Sequence, residues 1–552
     1  MTQTDQNADW WRGAVIYQIY PRSYQDSTGT GSGDLNGITA RLDHVAALGA
    51  DAIWISPFFT SPMKDMGYDV SNYRDVDPMF GSLADFDALL ARAHALGLKV
   101  IIDQVLSHTS DQHAWFVESR RDASNPRSDW YVWADAQPDG TAPNNWLSVF
   151  GGPAWEWDGV RKQYYLHNFL ASQPDLNFHN PDVQDAILEE VRFWLDRGVD
   201  GFRIDTANFF FHDEELRSNP PAALRNDGPA GIGADAPDVN PYGMQHHLYS
   251  KSRPENIGFL ERFRALLDEY PDRTSVGEVG DARAIELVAE YTAQNKRLHM
   301  CYTFDLLSDQ FTPDFLRRTL REFSEKVSDG WVCLAWSNHD VIRHVTRFTP
   351  EGTDPAAVAK LTAALILSLR GSVCLYQGEE LGLTEADIAF DDLQDPYGIR
   401  FWPAFKGRDG CRTPMVWEAA NANGGFSTAK PWLPVPDDHL PLAVDQQSGG
   451  ASVMAQYAAM LSFRADTPTL RHGDIALLPE GDPVFAFSRT LDGQTLLCAF
   501  NLSGKPAKYA LPADGGQITA LPAPGASGVL DADQLTLPAY GYFIGTLGAI
   551  CT

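Results

Sequence analysis

The sequence predicts an α/β chain: a (β/α)8 TIM barrel, interrupted by a small inserted domain after its third strand and followed by an antiparallel β-sandwich. Three observations predict it. Short apolar strands alternate with helical segments along most of the chain, eight such strands can be counted, and polar residues recur at their C-terminal ends. Apolar strands separated by helices imply a parallel sheet. Eight of them imply closure into a barrel, whose active sites are built at the C-terminal rim. A doubly wound open sheet is the alternative, and the polar strand ends argue against it. At 552 residues the chain exceeds a single core, so additional domains are expected.

The elements follow in order. Val15–Tyr20 is the first strand. Leu42 to Leu48 reads as a helix closed by Gly49, and Ala52–Ser56 is the second strand. Ser82 caps a helix with Asp85 in its first turn and Leu83, Phe86, Leu89, Leu90 and Ala93 at helical spacing. Gly97 ends that helix, and Lys99–Asp103 is the third strand. Residues 104–172 are long, irregular and rich in tryptophan (Trp115, Trp130, Trp133, Trp146, Trp155, Trp157), which predicts the inserted domain. The barrel therefore divides into residues 1–103 and 173–470. Asn180-Pro181 opens a helix with Val183, Ile187, Val191 and Leu195 on one side. Gly198 closes it before the strand Gly201–Asp205. Residues 218–247, rich in Pro, Gly, Asn and Asp, form a loop of a length that usually serves function. The remaining strands are Thr274–Glu278, Cys301–Phe304, Trp331–Trp336 and Val373–Tyr376. After about Arg471 the pattern is all-β, with a hairpin of Phe485–Thr490 and Thr495–Asn501, so residues 471–552 are assigned to the sandwich.

Composition narrows the function. Hydrophobic residues at 44% and charged residues at 21% are globular values rather than those of a disordered chain. A net charge of −30 repels phosphate backbones and anionic lipid, so neither nucleic acid nor membrane is expected as a partner, whereas a neutral substrate is compatible. Met1 to Asp9 is polar and unlike a secretory signal, and no apolar run is long enough to span a bilayer. The six cysteines are scattered without a Cys-x-x-Cys pair, which predicts reduced thiols in a cytoplasmic protein.

Four segments put a carboxylate, histidine or arginine at a strand end: Asp103 to His108, Gly201 to Thr206, Val276 to Val279, and Asn338-His339-Asp340. An aspartate ending one strand is commonly a helix cap. Four in this order on successive units resemble the α-amylase superfamily of glycoside hydrolases, and within it the maltase and oligo-1,6-glucosidase branch. Gln173-Pro-Asp-Leu-Asn177 and the stretch Arg408 to Trp417 add to the resemblance, which runs from Trp10 into the C-terminal sandwich.

The resemblance implies a retaining, exo-acting α-glucosidase acting on a small oligosaccharide such as maltose. Asp205 matches the nucleophile, Glu278 the general acid/base and Asp340 the third carboxylate, which holds sugar hydroxyls. Retention needs an acid and a nucleophilic carboxylate about 5–5.5 Å apart. Neighbouring negative charge is expected to keep Glu278 protonated, and Arg203, two residues before Asp205, to keep the nucleophile ionised. His108 and His339 match histidines that bind the glucose, Tyr68 the aromatic beneath it, and Gln173 lies among the substrate-binding residues. Asp69 and Arg412 match the pair that clamps the non-reducing end. Thr206, following the nucleophile, goes with α-1,4 preference.

The loop Asp26 to Asp34 resembles a calcium loop, with Asp26, Thr28, Thr30, Ser32 and Asp34 at the ligand positions. Threonine hydroxyls there bind a hard cation more weakly than carboxylates. A structural Ca2+ and a metal-free glycine-rich turn both fit, and the chemistry requires no cofactor. The alternatives on the same scaffold are a transglycosylase or isomerase of the trehalose synthase or sucrose isomerase type and an α-1,6-preferring oligoglucosidase. Transfer of glucose to sugar or alcohol acceptors is compatible with hydrolysis.

Overall fold

The computed structural model describes residues 9–222, 239–511 and 518–548. The polar start before Asp9, the middle of the 218–247 loop and Cys551 lie outside the described residues. The eight barrel strands are β1 (Val15–Ile19), β2 (Ala52–Ile55), β3 (Lys99–Gln104), β4 (Gly201–Ile204), β5 (Thr274–Val279), β6 (Met300–Thr303), β7 (Cys333–Ala335) and β8 (Ser372–Tyr376). Each pairs in parallel with its neighbour, in the order β6-β5-β4-β3-β2-β1-β8-β7. A parallel bridge between Cys301 and Val332 closes β6 onto the start of β7, so the sheet is a closed barrel.

Strand pleating sorts the side chains into two cores. Ile16, Trp54, Ile101, Val276, Cys333 and Cys374 fill the lumen. Their neighbours Tyr17, Ile53, Ile55, Val100, Ile102 and Phe202 face outward into the helical layer. That layer comprises α1 (Leu35–Leu48), α2 (Leu83–Ala95), α3 (Pro181–Arg197), α4 (Asn256–Leu267), α5 (Ala284–Thr292), α6 (Pro313–Lys326), α7 (Pro355–Ser368) and α8 (Val453–Ala465). Ser82 and Asp85 form a capping box on α2, and Gly198 ends α3 at φ 102°, as their sequences predict. The helix α1 starts seven residues earlier than its apolar spacing indicated, because the Asp34 carboxylate caps it.

Between β3 and α3, the strands Trp133–Ala134, Gln163–Leu166 and Trp155–Asp158 form a small antiparallel sheet. Beyond α8, a five-stranded and a three-stranded antiparallel sheet face each other. Val484, Ala486, Leu497 and Ala499 of the larger sheet pack on Ala507, Tyr509, Leu535 and Leu537 of the smaller. The hairpin Val484–Leu491 and Gln494–Asn501 turns on Asp492-Gly493, both at positive φ (48° and 82°), the backbone of a two-residue primed turn. Among the described residues no helix is long and apolar enough to cross a membrane, and Cys301, Cys333, Cys374, Cys411 and Cys498 are buried free thiols.

Candidate active site

Asp205, Glu278 and Asp340 meet at the C-terminal rim of the barrel, in one pocket with Asp65, Tyr68, His108, Phe169, Thr206 and Arg408. The strands explain the meeting. Arg203 in β4 and Asp205 just after it are two residues apart, so both project into the lumen. Arg203 is fully buried; its Nη1 bonds Asp103 (2.8 Å) and Asp205 (2.7 Å), while Nη2 bonds Glu278 (2.8 Å). The same Nη2 donates to the Tyr302 hydroxyl (2.9 Å), which in turn donates to Glu278 Oε1 (2.8 Å). The guanidinium lies 4.9 Å from the Trp54 ring centroid, a cation–π contact that suits a desolvated cation.

The second Glu278 oxygen accepts the Thr206 backbone N–H (3.1 Å). That geometry depends on an unusual backbone: Thr206 sits at φ 42°, a region costly for a β-branched residue. Its hydroxyl reaches Asp205 Oδ2 (3.3 Å) and Ser107 Oγ (3.1 Å). Sequence alone indicates a threonine there, not the turn that aims its amide at the neighbouring strand.

Burial is the largest influence on the Glu278 and Asp205 carboxyls. It pushes Glu278 up to about 8 against the pull of Arg203, with Asp205 and Asp340 adding to the rise. The expectation that neighbouring charge would raise Glu278 therefore names the smaller cause. Burial also raises Asp205 to about 7, with Arg203 pulling it down. Glu278 thus takes the first proton and Asp205 keeps the charge. Burial opposes ionisation of Asp340 and also keeps the adjacent His339 ring neutral, so it is Arg408, Arg412 and Arg203 that hold the Asp340 carboxyl well below the usual range. Arg412 Nη2 and Arg408 Nη1 bond its Oδ1 at 2.9 and 3.1 Å.

The clamp expected from Asp69 and Arg412 is corrected by the geometry. Asp69 is fully buried and spends its carboxylate on Ser61 Oγ (2.9 Å) and the backbone N–H groups of Lys64 and Asp65 (both 3.0 Å). Arg412, also fully buried, bonds the His339 carbonyl (2.7 Å) and Asp340. The carboxylate–guanidinium pair facing the pocket is Asp65 with Arg408, at 2.9 Å. Asp395 braces Arg408 from behind at 2.8 Å, and the Phe150 ring packs on its guanidinium at 4.9 Å.

Three other expected ligands stand behind the pocket wall. His339 is fully buried, with Gln18 on Nδ1 (2.8 Å) and the Tyr68 hydroxyl on Nε2. The Tyr68 ring lines the pocket and stacks on His339, centroids 5.3 Å apart and planes within 6°. Gln173 donates to Asp65 Oδ2 (3.0 Å) and approaches His108 Nε2 (3.2 Å), so it orients two pocket residues. Arg203 is the third. His108 itself lines the pocket, and burial lowers it to about 4, leaving a neutral ring. Asp65, Phe169 and Arg408 were missed by sequence reasoning. Arg408 opens the stretch that carried the family resemblance and Asp65 stands three residues before Tyr68, whereas Phe169 had no local signal.

The Asp26–Asp34 loop is spent on itself. Asp26 accepts hydrogen bonds from the N–H groups of Thr28 (2.9 Å), Gly29 (2.8 Å) and Gly31 (2.7 Å) and from Ser427 Oγ (2.6 Å). Asp34 accepts from Ser27 N (2.9 Å), Ser27 Oγ (2.7 Å) and Gly37 N (2.7 Å). Thr28 and Thr30 offer only hydroxyls, and the Ser32 carbonyl accepts from Thr30 Oγ1 (3.4 Å). This donor set does not fit a hard divalent cation, which asks for six to eight available oxygens.

Comparison with known proteins finds relatives along nearly the whole chain. Residues 18–473 match the profile of Alpha amylase, catalytic domain, and residues 475–544 that of Maltogenic Amylase, C-terminal domain. The sequence is 58% identical to a probable alpha-glucosidase of Rhizobium meliloti (strain 1021), over 98% of this chain and 97% of that protein. It is 36% identical to an oligo-1,6-glucosidase of Halalkalibacterium halodurans, over 92% and 93%. The crystal structure of the alpha-glucosyl transfer enzyme XgtA superposes with a TM-score of 0.94 at 56% identity, covering 98% of this chain and 99% of that one. The trehalulose synthase MutB from Pseudomonas mesoacidophila MX-45 superposes at 0.87 and 32% identity, covering 98% and 99%.

Proposed function

The chain belongs to the α-amylase family of glycoside hydrolases, and on that premise we propose that it is an exo-acting, retaining α-glucosidase. Its substrates are short α-1,4-linked glucosides such as maltose, cleaved from the non-reducing end. The observation that supports this reading best is the sharing of Arg203 between Asp205 and Glu278, which holds two carboxyls of unequal proton affinity side by side.

In this reading Asp205 attacks the anomeric carbon while Glu278 gives its proton to the departing glycosidic oxygen. The anomeric carbon–oxygen bond breaks and a glucosyl ester to Asp205 forms. Water, deprotonated by Glu278, then attacks the same carbon and returns Asp205 as a carboxylate, so the configuration is kept. Asp340, ionised by its arginines, holds hydroxyls of the distorted ring. Asp65 and Arg408 grip the terminal hydroxyls and close that end of the pocket, which limits cleavage to one glucose at a time. The chemistry uses side chains only and needs no metal or organic cofactor.

Thr206 in the pocket wall supports α-1,4 over α-1,6 preference. A second reading, transfer of the glucosyl group to a sugar or alcohol hydroxyl, is supported by the near-complete match to a glucosyl transfer enzyme. The intermediate is the same and only the attacking hydroxyl differs. The test is NMR of the first products from maltose, isomaltose, sucrose and trehalose, with and without an alcohol acceptor. The non-reducing unit of maltose should appear first as α-glucose, beside the anomeric mixture carried by the departing reducing-end glucose, and added alcohol should divert part of that unit to an α-glucoside. Early glucose richer in the β anomer than the reducing end of the maltose supplied, or full turnover by Asp205→Asn, overturns the assignment.

A further inference from the structure

The 173–177 segment separates the catalytic pocket from a second concavity. Gln173 at one end braces Asp65 and His108. Asn177 at the other end lines a cavity of about 290 Å3 between the inserted domain and the loop after β4. The two pockets share no lining residue.

His212 faces this cavity while only 8% exposed, and neither ring nitrogen meets a hydrogen-bond partner among the described residues. Its ring nitrogens open onto the cavity and are not sealed in the core, so a ligand or water can meet them there. Burial pushes its imidazole down to about 3, so the ring is neutral, with one donor and one acceptor nitrogen. His179 stands edge-on to it, centroids 4.9 Å apart, with Nε2 on the His212 carbonyl (2.8 Å). The half-buried Asn177 spends its amide on the Asp129 carbonyl (3.1 Å) and carboxylate (3.2 Å) and accepts the His179 N–H on its Oδ1 (3.3 Å), while the exposed Asp129 and Glu214 put carboxylates at the rim.

The lining contains no lysine or arginine, which disfavours an anion. Carboxylate acceptors beside an unpartnered imidazole, with its one donor and one acceptor nitrogen, suit groups that both donate and accept, as hydroxyls do and a simple cation does not. The volume is that of a site for a small molecule. We propose that this cavity binds a neutral saccharide unit, as a second sugar site outside the catalytic pocket.

Maltose soaked into crystals of the Asp205→Asn protein should occupy both pockets. In solution, calorimetric titration of that protein with maltose should resolve two classes of site. His212→Phe keeps the ring shape against Trp146 and His179, and Glu214→Gln changes only the exposed rim. Each, added to Asp205→Asn, should weaken the second class about ten-fold or more, and each alone should leave kcat/KM for maltose within about two-fold. Sugar in the catalytic pocket alone, a single class in solution, or a second class untouched by both substitutions overturns the proposal. An empty catalytic pocket counts instead against the glucosidase reading.

Discussion

Asp65 and Asp69 lie four residues apart and differ completely in what their carboxylates meet. Asp69 accepts the backbone of the loop that carries Asp65, whereas Asp65 bonds Arg408 at the pocket wall. Met66 and Gly67 at φ 54° and 112° reverse the chain between them, so which carboxylate faces the pocket is set by the loop and not by spacing. Arg408 and Arg412 are likewise four residues apart, and although both bond Asp340 only Arg408 lines the pocket. Asp65→Asn should therefore lower kcat/KM for maltose about 100-fold, within the loss expected when one charged partner is removed from a buried pair. Asp69→Asn should act first on stability, seen as a lower Tm with smaller kinetic loss. An Asp65→Asn enzyme with ordinary kinetics contradicts the clamp. The pH profile belongs to this scale too. Asp205 must be ionised, so activity rises as pH rises through about 7; Glu278 must be protonated, so activity falls as pH rises through about 8. Because the two interact, the limbs report the pair. A rate still climbing at pH 10 removes Glu278 as the acid.

At the scale of elements, the sequence was most readable where periodicity and punctuation coincide. The Ser82–Asp85 box, Gly97, Asn180-Pro181 and Gly198 mark α2 and α3 because capping is local chemistry. The start of α1 was hidden, since Asp34 looked like a metal ligand while its oxygen caps Gly37. The turn after β4 was hidden as well: a threonine at positive φ is disfavoured locally and persists because Glu278 and Ser107 hold it. The meeting of Asp205, Glu278 and Asp340 at one rim was legible from strand ends, but the wall around them was not, because Phe169, Asp65 and Asp395 come from three separate loops. Asp34→Ala should cost about 1 kcal/mol, as loss of a helix cap does. EDTA should leave both Tm and activity of the unaltered protein unchanged. A fall in Tm on chelation contradicts a loop satisfied by its own donors.

The molecule is joined by more than its linkers. Phe485, Phe487, Phe500 and Ile544 of the five-stranded sheet belong to the same buried cluster as Leu361, Leu365, Met460 and Leu461 of α7 and α8. Arg489, buried in that sheet, donates to the carbonyls of Ser368 (2.6 Å) and Gly473 (2.7 Å). Arg464 of α8 similarly ties Gly371 and Leu367, both at 2.7 Å. A shared core couples the unfolding of its parts, so calorimetry should show one transition in which barrel and sandwich melt together. A separate, earlier peak for the sandwich contradicts this. The sandwich was legible from its strands and turn, but its fusion to the barrel was not, since the outward phenylalanines read as an ordinary strand face.

The guanidinium shared by Asp205 and Glu278 has a consequence that depends on time. In the proposed reaction Asp205 loses its charge on becoming an ester, and Arg203 has one anion fewer to serve. Glu278 then feels more of the cation and none of the repulsion that Asp205 supplied. Both changes lower its proton affinity just after it has surrendered its proton. The residue that enters the cycle as an acid is made a stable base for the next step, and hydrolysis of the ester restores its original affinity. The reaction thus resets its own proton carrier, with no part of the fold required to move.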